Sequence, residues 1–277
     1  MTAVVVEDLR KRYGEHEALR GVSFEIREGE VFSLLGPNGA GKTTTIEILE
    51  GYRRRDDGSV SVLGIDPARA PREWRARIGV VLQSSAMYEN LSVRESLALF
   101  AGYYDSPRPV DEVIGVVGLE EKAHTVVRKL SGGQRRRLDF GLALIGDPEL
   151  IFLDEPTTGF DPAARRAAWG TIRSLRGLGK TILLTTHYLD EAEQLSDRVA
   201  VLREGRIVAS GTPADLTRTP ATEIRYRENG KDVVLRTEQP TRVLAELTGR
   251  AVEDGRELEA LEVRRPSLEE VYLELTE

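Results

Sequence analysis

The chain has 277 residues, of which 40% are hydrophobic and 31% are charged, and its net charge is −7. This length fits one large domain with a small one, and the negative charge argues against general nucleic-acid binding through a basic surface. There is no cysteine, which excludes disulfides, zinc–thiolate sites and iron–sulfur clusters and favours a reducing compartment. No apolar run approaches the ~20 residues that cross a bilayer, and residues 1–11 lack the apolar core of a signal peptide. The sequence therefore predicts a cytosolic chain that would serve a membrane only through a partner.

The first segment is predicted to be β structure. Residues 3–6 form a short apolar run, and residues 22–26 alternate between apolar and polar side chains, which indicates two strands. Tyr13 lies between them, next to Gly14. An aromatic side chain there could stack on an adenine ring, although a tyrosine beside a turn glycine is more often a packing residue.

A phosphate-binding loop follows the apolar run 31–35 and precedes a predicted helix. Its pattern, Gly, four residues, then Gly-Lys-Thr, is matched at every position, and the strand–loop–helix context is the one this motif requires. Glycines let backbone N–H groups approach phosphate oxygens, and the helix N-terminus adds partial positive charge. The lysine is expected to reach the β and γ phosphates and the first threonine to bind Mg²⁺. The loop consists of Gly36, Pro37, Asn38, Gly39, Ala40, Gly41, Lys42, Thr43 and Thr44.

Polar residues follow several of the buried strands that come next. Residues 59–64 and 80–82 are predicted strands, and the second ends at Gln83, in the position where ligands meet α/β sheets. The default alternative is a surface glutamine that ends a strand. Residues 150–153 end at Asp154 and Glu155, two adjacent carboxylates that are costly to bury unless they are used. Residues 181–186 end at His187.

The region of about 84–146 is predicted to be helical. Residues 93–100 and 111–117 have amphipathic helical spacing. Ser131 and Gln134 stand at capping-box spacing in Leu130-Ser131-Gly132-Gly133-Gln134, so a helix is expected to begin there. Two glycines in a first turn are poor helix formers and make sense if a phosphate from another molecule approaches the helix N-terminus.

Asp161 and the two arginine runs have ordinary structural interpretations. Asp161 followed by Pro162 is a good N-cap before a good first helical residue, so a purely structural role is well supported. Residues 53–55 and 135–137 are arginine runs among acidic neighbours. We expect both runs to be solvated surface positions.

The composition changes after about residue 218. Strands at 223–227 and 232–236 flank Asn229-Gly230, a strong hairpin signal. A helix over 240–248, an extended segment over 258–263 and a capping box from Ser267 follow. The order ββαβα predicts a small α+β unit over 219–277, after a first domain over 1–218.

Taken together, these motifs resemble the nucleotide-binding subunit of ATP-binding cassette (ABC) transporters. The resemblance covers roughly residues 4–216 and rests on the order phosphate loop, strand-end glutamine, LSGGQ, Asp-Glu and strand-end histidine. It implies an α/β phosphate-loop ATPase with a mixed sheet, a helical subdomain over about 84–146 and a small C-terminal α+β domain. Residues 265–276 resemble the tail of ABC-2 type exporter ATPases such as the daunorubicin-resistance group, although members of that group often carry another residue in place of Gln134.

The resemblance implies a role for each matching position around the nucleotide. Tyr13 would stack on adenine, and residues 36–44 would be the Walker A loop. Lys42 would bind phosphates, and Thr43 and Asp154 would bind Mg²⁺.

Other matching positions would act on water or on a second subunit. Glu155 would be the general base, Gln83 would contact Mg²⁺ and the attacking water, and His187 would lie near the γ-phosphate. Ser131, Gly132, Gly133 and Gln134 would bind the γ-phosphate held by an opposite subunit. Asp161 would communicate across that dimer.

The family implies ATP hydrolysis coupled to export through a separate membrane permease. We expect an ATP-dependent head-to-tail homodimer, peripheral on the inner face of the cell membrane, and a heterodimer with another cassette remains open.

The rival function is that of a soluble ABC ATPase acting on nucleic acid or ribosomes. Such proteins usually carry two cassettes, coiled coils or zinc cysteines, so we expect no nucleic-acid partner. A GTPase is disfavoured because Asn229-Gly230-Lys231-Asp232 has the wrong order for a guanine motif. Cargo and permease are not indicated.

Overall fold

The computed structural model of the protein describes residues 1–83, 88–216, 222–228 and 231–264. The chain divides into two compact units, Met1–Ser210 and Gly211–Glu277. Over the described ranges, no helix has the length and apolar character needed to span a membrane.

Among the described residues, the larger unit contains nine strands, the last of which reaches its C-terminal end. In chain order they are β1 (Thr2–Tyr13), β2 (His16–Arg27), β3 (Val31–Leu35), β4 (Asp57–Val62), β5 (Ile78–Val81), β6 (Leu150–Asp154), β7 (Thr181–Thr186), β8 (Arg198–Arg203) and β9 (Arg206–Gly211). The helices of this unit are α1 (Lys42–Leu49), α2 (Arg72–Arg75), α3 (Val93–Ala101), α4 (Val110–Val116), α5 (Gly132–Leu144), α6 (Pro162–Gly177) and α7 (Leu189–Leu195).

Two sheets organise these strands. The first is antiparallel, with the order β2-β1-β4. The second has the order β5-β6-β7-β3-β8-β9, and the pairs β5/β6, β6/β7, β3/β7 and β3/β8 are parallel. Parallel strands place their carboxyl ends at one edge of the sheet, which is where α/β proteins bind ligands.

The central strands are buried on both faces, which explains why they are continuous apolar runs. Alternate side chains of β6 point into two different cores. Leu150 and Phe152 pack with residues of β1, β2, β4 and α1, whereas Ile151 and Leu153 pack with residues of α3, α4, α5 and α6. The six-stranded sheet is therefore the middle layer of the unit.

The helices begin where the sequence places helix-capping residues. Ser92 caps α3, with its hydroxyl accepting from Glu95 N and the Glu95 carboxylate accepting from Ser92 N. Ser131 and Gln134 form the same reciprocal pair at the start of α5. The expected helices over 93–100 and 111–117 are α3 and α4, which lie next to α5.

The second unit is a small α+β fold. It contains α8 (Pro213–Leu216), β10 (Thr222–Glu228), β11 (Lys231–Thr237), α9 (Pro240–Glu253) and β12 (Glu259–Arg264), and its antiparallel sheet has the order β11-β10-β12. The Glu223 carboxylate, only 2% exposed, is paired with Arg225, Arg236 and Arg264 at 2.9, 3.1 and 3.2 Å. The expected Asn229-Gly230 turn, the Ser267 capping box and the exporter-like tail lie outside the described residues.

Three expectations need correction. The strand expected over 3–6 is the much longer β1. Tyr13 is therefore the last residue of this strand, and it pairs with His16 of β2. The arginine runs are not simply solvated. Arg136 is buried, with 6% exposure, and Arg55 forms a bidentate ion pair with Asp66.

The pair of Arg55 and Asp66 gives a pH-dependent stability prediction. Both of its N–O distances are 2.8 Å, and it joins the chain before β4 to the chain after it. The Arg55 hydrogen bonds lower the pKa of Asp66 to about 2. Because the folded pKa lies below the unfolded value of about 3.9, this carboxylate stabilises the fold above about pH 4, and the contribution is lost as the pH falls through 2. Asp66→Asn should cost about 1 kcal/mol at pH 7, since the pair is partly solvent-screened, and the cost should shrink below pH 4.

Urea unfolding of the larger unit measures this cost, because both tryptophans of the chain, Trp74 and Trp169, lie in that unit. Asp8→Asn is the matched control. Asp8 pairs with Arg10 in an exposed pair, with side chains 61% and 44% accessible, so its loss should cost less than about 0.5 kcal/mol. Equal effects of the two substitutions would contradict the prediction.

Candidate functional site

The phosphate loop connects the end of β3 to the start of α1. Gly36 N donates to Thr186 O at 3.2 Å, which ties the loop to the end of β7. A Cβ at Gly36 would lie 2.3 Å from the Leu202 carbonyl oxygen, and Gly41 has a φ of +108°. Both positions therefore require glycine, one for close backbone approach and one for its left-handed conformation.

Lys42 is the first residue of α1 and is only 4% exposed. Its Nζ donates to the carbonyl oxygens of Gly36 and Pro37 at 2.8 and 3.1 Å. The same atom lies 3.1 Å from Oε1 of Glu155. The lysine thus brings a buried positive charge to the mouth of the loop and joins it to the carboxyl end of β6.

Glu155 is held in an unusual conformation after β6. Its φ is +44°, a region costly for a residue other than glycine and found most often at functional sites. Its N–H donates to the carbonyl and the hydroxyl oxygen of Thr185, and its Oε2 accepts from Thr158 Oγ1 at 3.0 Å. Burial raises the pKa of Glu155, but the Lys42 hydrogen bond and charge outweigh it, so the pKa lies below its usual value. The carboxylate is therefore ionised at neutral pH and can accept a proton.

Asp154 ends β6 and is 5% exposed. Its Oδ1 accepts from Thr185 Oγ1 at 2.5 Å. Burial raises the pKa of Asp154 and the Glu155 charge adds to this, while hydrogen bonds from the Thr185 and Thr43 hydroxyls act in the opposite direction. The Thr43 hydroxyl at the start of α1 and the Asp154 carboxylate at the end of β6 are thereby brought together.

Lys42 and Glu155 meet other polar groups around one cavity of about 620 Å³, whose lining does not include Asp154. Gln83 follows the end of β5 and His187 the end of β7, so both come from the edge of the sheet that carries Glu155. His187 Nδ1 lies 3.3 Å from Glu155 Oε2, outside hydrogen-bonding geometry. Of the residues expected in the site, the lining contains Tyr13, Asn38, Gly39, Gly41, Lys42, Thr43, Thr44, Gln83, Glu155 and His187.

Tyr13 stands at the rim of this cavity. Its side chain is 39% exposed, and the Arg53 guanidinium carbon and Lys11 Nζ lie 5.1 and 5.6 Å from its ring centroid. Ala40 is buried instead, with its carbonyl oxygen accepting from Gly205 N at 3.0 Å.

The remaining expected residues lie apart from the phosphate loop. Gly132 belongs to a second cavity of about 190 Å³, which also contains Gln83, Glu155 and Phe160. Ser131, Gly133 and Gln134 line neither cavity. Asp161 caps α6 by accepting from Ala163 N and Ala164 N at 2.8 Å each, so the structural role its sequence indicates is confirmed.

Several supporting residues gave no signal in the sequence. Thr157 Oγ1 and Trp169 Nε1 donate to Glu191 Oε1 at 2.7 and 3.0 Å. This fully buried carboxylate thereby holds the segment that follows Glu155. An acidic residue in a predicted helix looks like a surface residue unless the partners that surround it are known. Thr158 likewise gives no signal, because nothing in the local sequence indicates that its hydroxyl donates to Glu155.

Two neighbouring oxygen donors, one in the lining of the cavity and one hydrogen-bonded to it, fit Mg²⁺. Thr43 and Asp154 supply a hydroxyl and a carboxylate, the hard oxygen ligands that this ion takes together with phosphates and water. Among residues 1–83, 88–216, 222–228 and 231–264, no three His, Asp or Glu side chains cluster as metal ligands. A cation at this position would thus be completed by ligands from a bound nucleotide.

A parallel sheet with a glycine-rich phosphate loop, a buried lysine and two strand-end carboxylates defines the class of phosphate-loop nucleotide-binding proteins. Comparison with known proteins narrows the class. The ABC transporter family model matches residues 19–158, and a model of the C-terminal domain of ABC transporter domain-containing proteins matches residues 209–267. The chain belongs to the ABC transporter ATP-binding family, as its motifs predict, and is an ATPase.

Some relatives and solved structures match nearly the whole chain, and others match about three quarters of it. The daunorubicin resistance ATP-binding protein DrrA3 of Streptomyces coeruleorubidus is 40% identical over 99% of this chain and 96% of the relative. The Nod factor export ATP-binding protein I of Ralstonia nicotianae is 46% identical over 76% of this chain and 67% of the relative. A solved ATP-binding subunit of an ABC transporter superposes with a TM-score of 0.73 and 27% identity, covering 99% of this chain and 100% of that one.

A further solved structure is a dimeric ATP-binding cassette in a post-hydrolysis state bound to ADP and Pi. It has a TM-score of 0.66 and 26% identity, and the match covers 76% of this chain and 98% of that one. The α/β ABC ATPase fold expected from the motifs is thereby confirmed.

The ion pair between Lys42 and Glu155 predicts that substitutions at these residues affect the free energy of unfolding and the ATP affinity differently. Lys42→Ala should leave Glu155 buried without its cation and lower the free energy of unfolding by about 3 kcal/mol. It should also weaken ATP binding at least tenfold. In the Glu155→Gln background the stability cost should fall to about 1 kcal/mol, since no charge is left unpaired, while the binding defect should persist.

Urea unfolding and isothermal titration with ATP separate the two effects in a double-mutant cycle. The single variant Glu155→Gln serves as the control for binding. Unchanged ATP affinity in Lys42→Ala would contradict the phosphate contact, and an equal stability cost in both backgrounds would contradict the ion pair.

Proposed function

We propose that this ATPase powers export of an amphipathic compound, such as a drug or lipid, through a separate membrane permease. The observation that carries the proposal is the meeting of Lys42, Glu155, Gln83 and His187 around one cavity, in a chain similar along nearly its whole length to a daunorubicin resistance ATP-binding protein. On this proposal the chain is cytoplasmic and peripheral on the inner face of the cell membrane.

The nucleotide would lie along the cavity from Tyr13 to Glu155. Tyr13 would stack on the adenine at the rim. The loop of residues 36–44 would surround the phosphates with backbone donors, and Lys42 would bind the β and γ phosphates. Thr43, Asp154 and Gln83 would hold Mg²⁺, which when bound offsets phosphate charge.

Hydrolysis would use Glu155 as the general base. A water oxygen forms a bond to the γ-phosphorus while the bond from that phosphorus to the β–γ bridging oxygen breaks, and the proton of the water passes to the Glu155 carboxylate. His187 and Gln83 would orient the γ-phosphate and the water. Positioning and charge stabilisation account for most of the catalysis in this reaction class.

The LSGGQ sequence of residues 130–134, called here the signature segment, supports a head-to-tail dimer, which in this proposal is a homodimer. A Cβ at Gly132 would meet no atom within 4 Å, and one at Gly133 would meet only Ala164 Cβ at an ordinary 3.7 Å. Neither glycine has a positive φ, so the fold of the single chain does not require glycine at either position. Close approach of a second molecule is a better reason for the missing side chains. Ser131, Gln134 and these glycines would contact the γ-phosphate of an opposite subunit, with Asp161 near the interface.

Glu155→Gln should bind ATP normally and lose turnover. Loss of a general base slows the reaction by about 10²–10⁴-fold, and the neutral amide fits the same space. With MgATP this variant should accumulate as a dimer. Phosphate release and size-exclusion chromatography with light scattering measure both effects, and near-normal turnover would contradict the assigned base.

Gly132→Arg in the Glu155→Gln background tests the interface. The new side chain enters open space in the single chain, so folding and ATP binding should persist while the dimer is lost. Gly170→Arg is the matched control, because Gly170 also lies in a helix with no atom within 4 Å of its Cβ. A Gly132→Arg protein that still dimerises would refute the signature contact.

The export assignment is tested by capture from native membranes. The Glu155→Gln protein, cross-linked with ATP in detergent-solubilised membranes of its source, should recover an integral membrane protein. Recovery should fail with Lys42→Ala. Capture of only ribosomal or DNA-repair proteins would replace export with the soluble-ATPase function and leave the nucleotide site in place.

A further inference from the structure

Helix α5, called here the signature helix because it begins within the signature segment, carries a buried guanidinium that the nucleotide chemistry does not use. Of the three consecutive arginines 135–137, only Arg136 is buried, at 6% exposure. Its neighbour Arg137 donates to the Gly118 carbonyl oxygen at 2.7 Å on the surface of the helical region. The three side chains have the same chemistry but different surroundings.

The Arg136 guanidinium donates to three backbone carbonyls from two strand ends. Its Nε donates to Pro156 O at 2.8 Å, and one terminal nitrogen reaches Asp154 O at 3.4 Å. The other terminal nitrogen donates to Leu82 O. Leu82 follows β5 and Asp154 ends β6, so the guanidinium spans the two parallel strands just beyond the point where β5 stops.

Each of these carbonyls adjoins a residue of the site. Leu82 immediately precedes Gln83, while Asp154 and Pro156 lie on either side of Glu155. Arg136 itself lies one turn into α5, the helix that Ser131 caps. One side chain therefore joins the signature helix to the segments that carry the water-orienting amide and the general base.

The charge of Arg136 indicates more than packing. Burial lowers the pKa of Arg136, and Asp139, 3.6 Å away, partly offsets this. A guanidinium nevertheless remains protonated in proteins, and a buried charge is usually no more stabilising than an apolar residue of similar size. A rigid fork with several donors is suited to fixing the relative positions of several acceptors.

We propose that Arg136 is a positioning residue for hydrolysis, an inference that rests on the roles proposed above for Glu155 and Gln83. It sets the position of the backbone at Glu155 and Gln83 according to the position of the signature helix. A displacement of α5 then moves the general base and the water-orienting amide together, while the phosphate loop keeps its hold on the nucleotide.

The test compares Arg136→Gln, Arg136→Lys and Arg137→Gln by steady-state ATPase kinetics. Arg136→Gln should lower kcat at least tenfold and change KM and ATP affinity less than threefold, because none of its contacts reaches the loop. Arg136→Lys, which keeps the charge but loses the fork, should give an intermediate kcat. Arg137→Gln should stay within twofold of the parent chain. A merely structural residue would instead reduce kcat and the active fraction together with thermal stability.

Chemical rescue gives a readout that does not depend on stability. Arg136→Ala leaves a guanidinium-sized space beside three carbonyls, so millimolar guanidinium should restore kcat at least fivefold, and urea at the same concentration should not. Absence of rescue in a folded, ATP-binding Arg136→Ala protein would overturn the proposal. So would a kcat within twofold of the parent in Arg136→Gln, or equal losses in Arg136→Gln and Arg137→Gln.

Discussion

The parallel hydrogen-bond ladder through β5, β6, β7 and β3 is the constraint on which the rest of the protein depends. It brings four strand ends to one edge, and each end is followed by a different chemical group. In space these groups run from Gln83 to Glu155, His187 and the phosphate loop, an order that differs from their order in the chain. The pairing of the strands, and not contact among the polar side chains, thus decides which groups come together. Apolar residues such as Phe152 and Leu183 hold the ladder in place.

Within the site, hydrogen bonds to one strand set the geometry of two carboxylates. The hydroxyl oxygen of Thr185 accepts from Glu155 N and donates to Asp154 Oδ1. The same strand leads to His187, and its Thr186 carbonyl accepts from Gly36 N. Glu155, Asp154 and the phosphate loop are thus all hydrogen-bonded to β7. The carboxylates of Asp154 and Glu155 can therefore lie close together in a region of low dielectric, because each is held by hydrogen bonds.

Residues whose role is local could be predicted from the sequence. The phosphate loop is a contiguous pattern, the cap of α5 is a four-residue pattern, and the buried strands are apolar runs, so each can be recognised without its neighbours. Roles that depend on distant contacts could not be predicted. Arg136 looks like part of a basic surface run until β5 and β6 are placed beside it, and Glu191 looks like a helix surface residue until Thr157 and Trp169 surround it. The apolar pattern predicts only residues 3–6 of β1, because polar residues interrupt the pattern, while pairing with both β2 and β4 makes the strand longer.

The left-handed backbone at Glu155 limits which amino acids this position accepts. A φ of +44° is reached at low cost by glycine and asparagine, at moderate cost by unbranched side chains, and poorly by valine, isoleucine or threonine. The position is thus restricted twice, once by the chemistry of its carboxylate and once by the turn on which the carboxylate stands. Variants at this site consequently differ in what they report. An unbranched replacement removes the carboxylate and leaves the turn. A β-branched replacement reshapes the segment from Asp154 to Thr158 as well, so any loss of activity would be a sum of two effects.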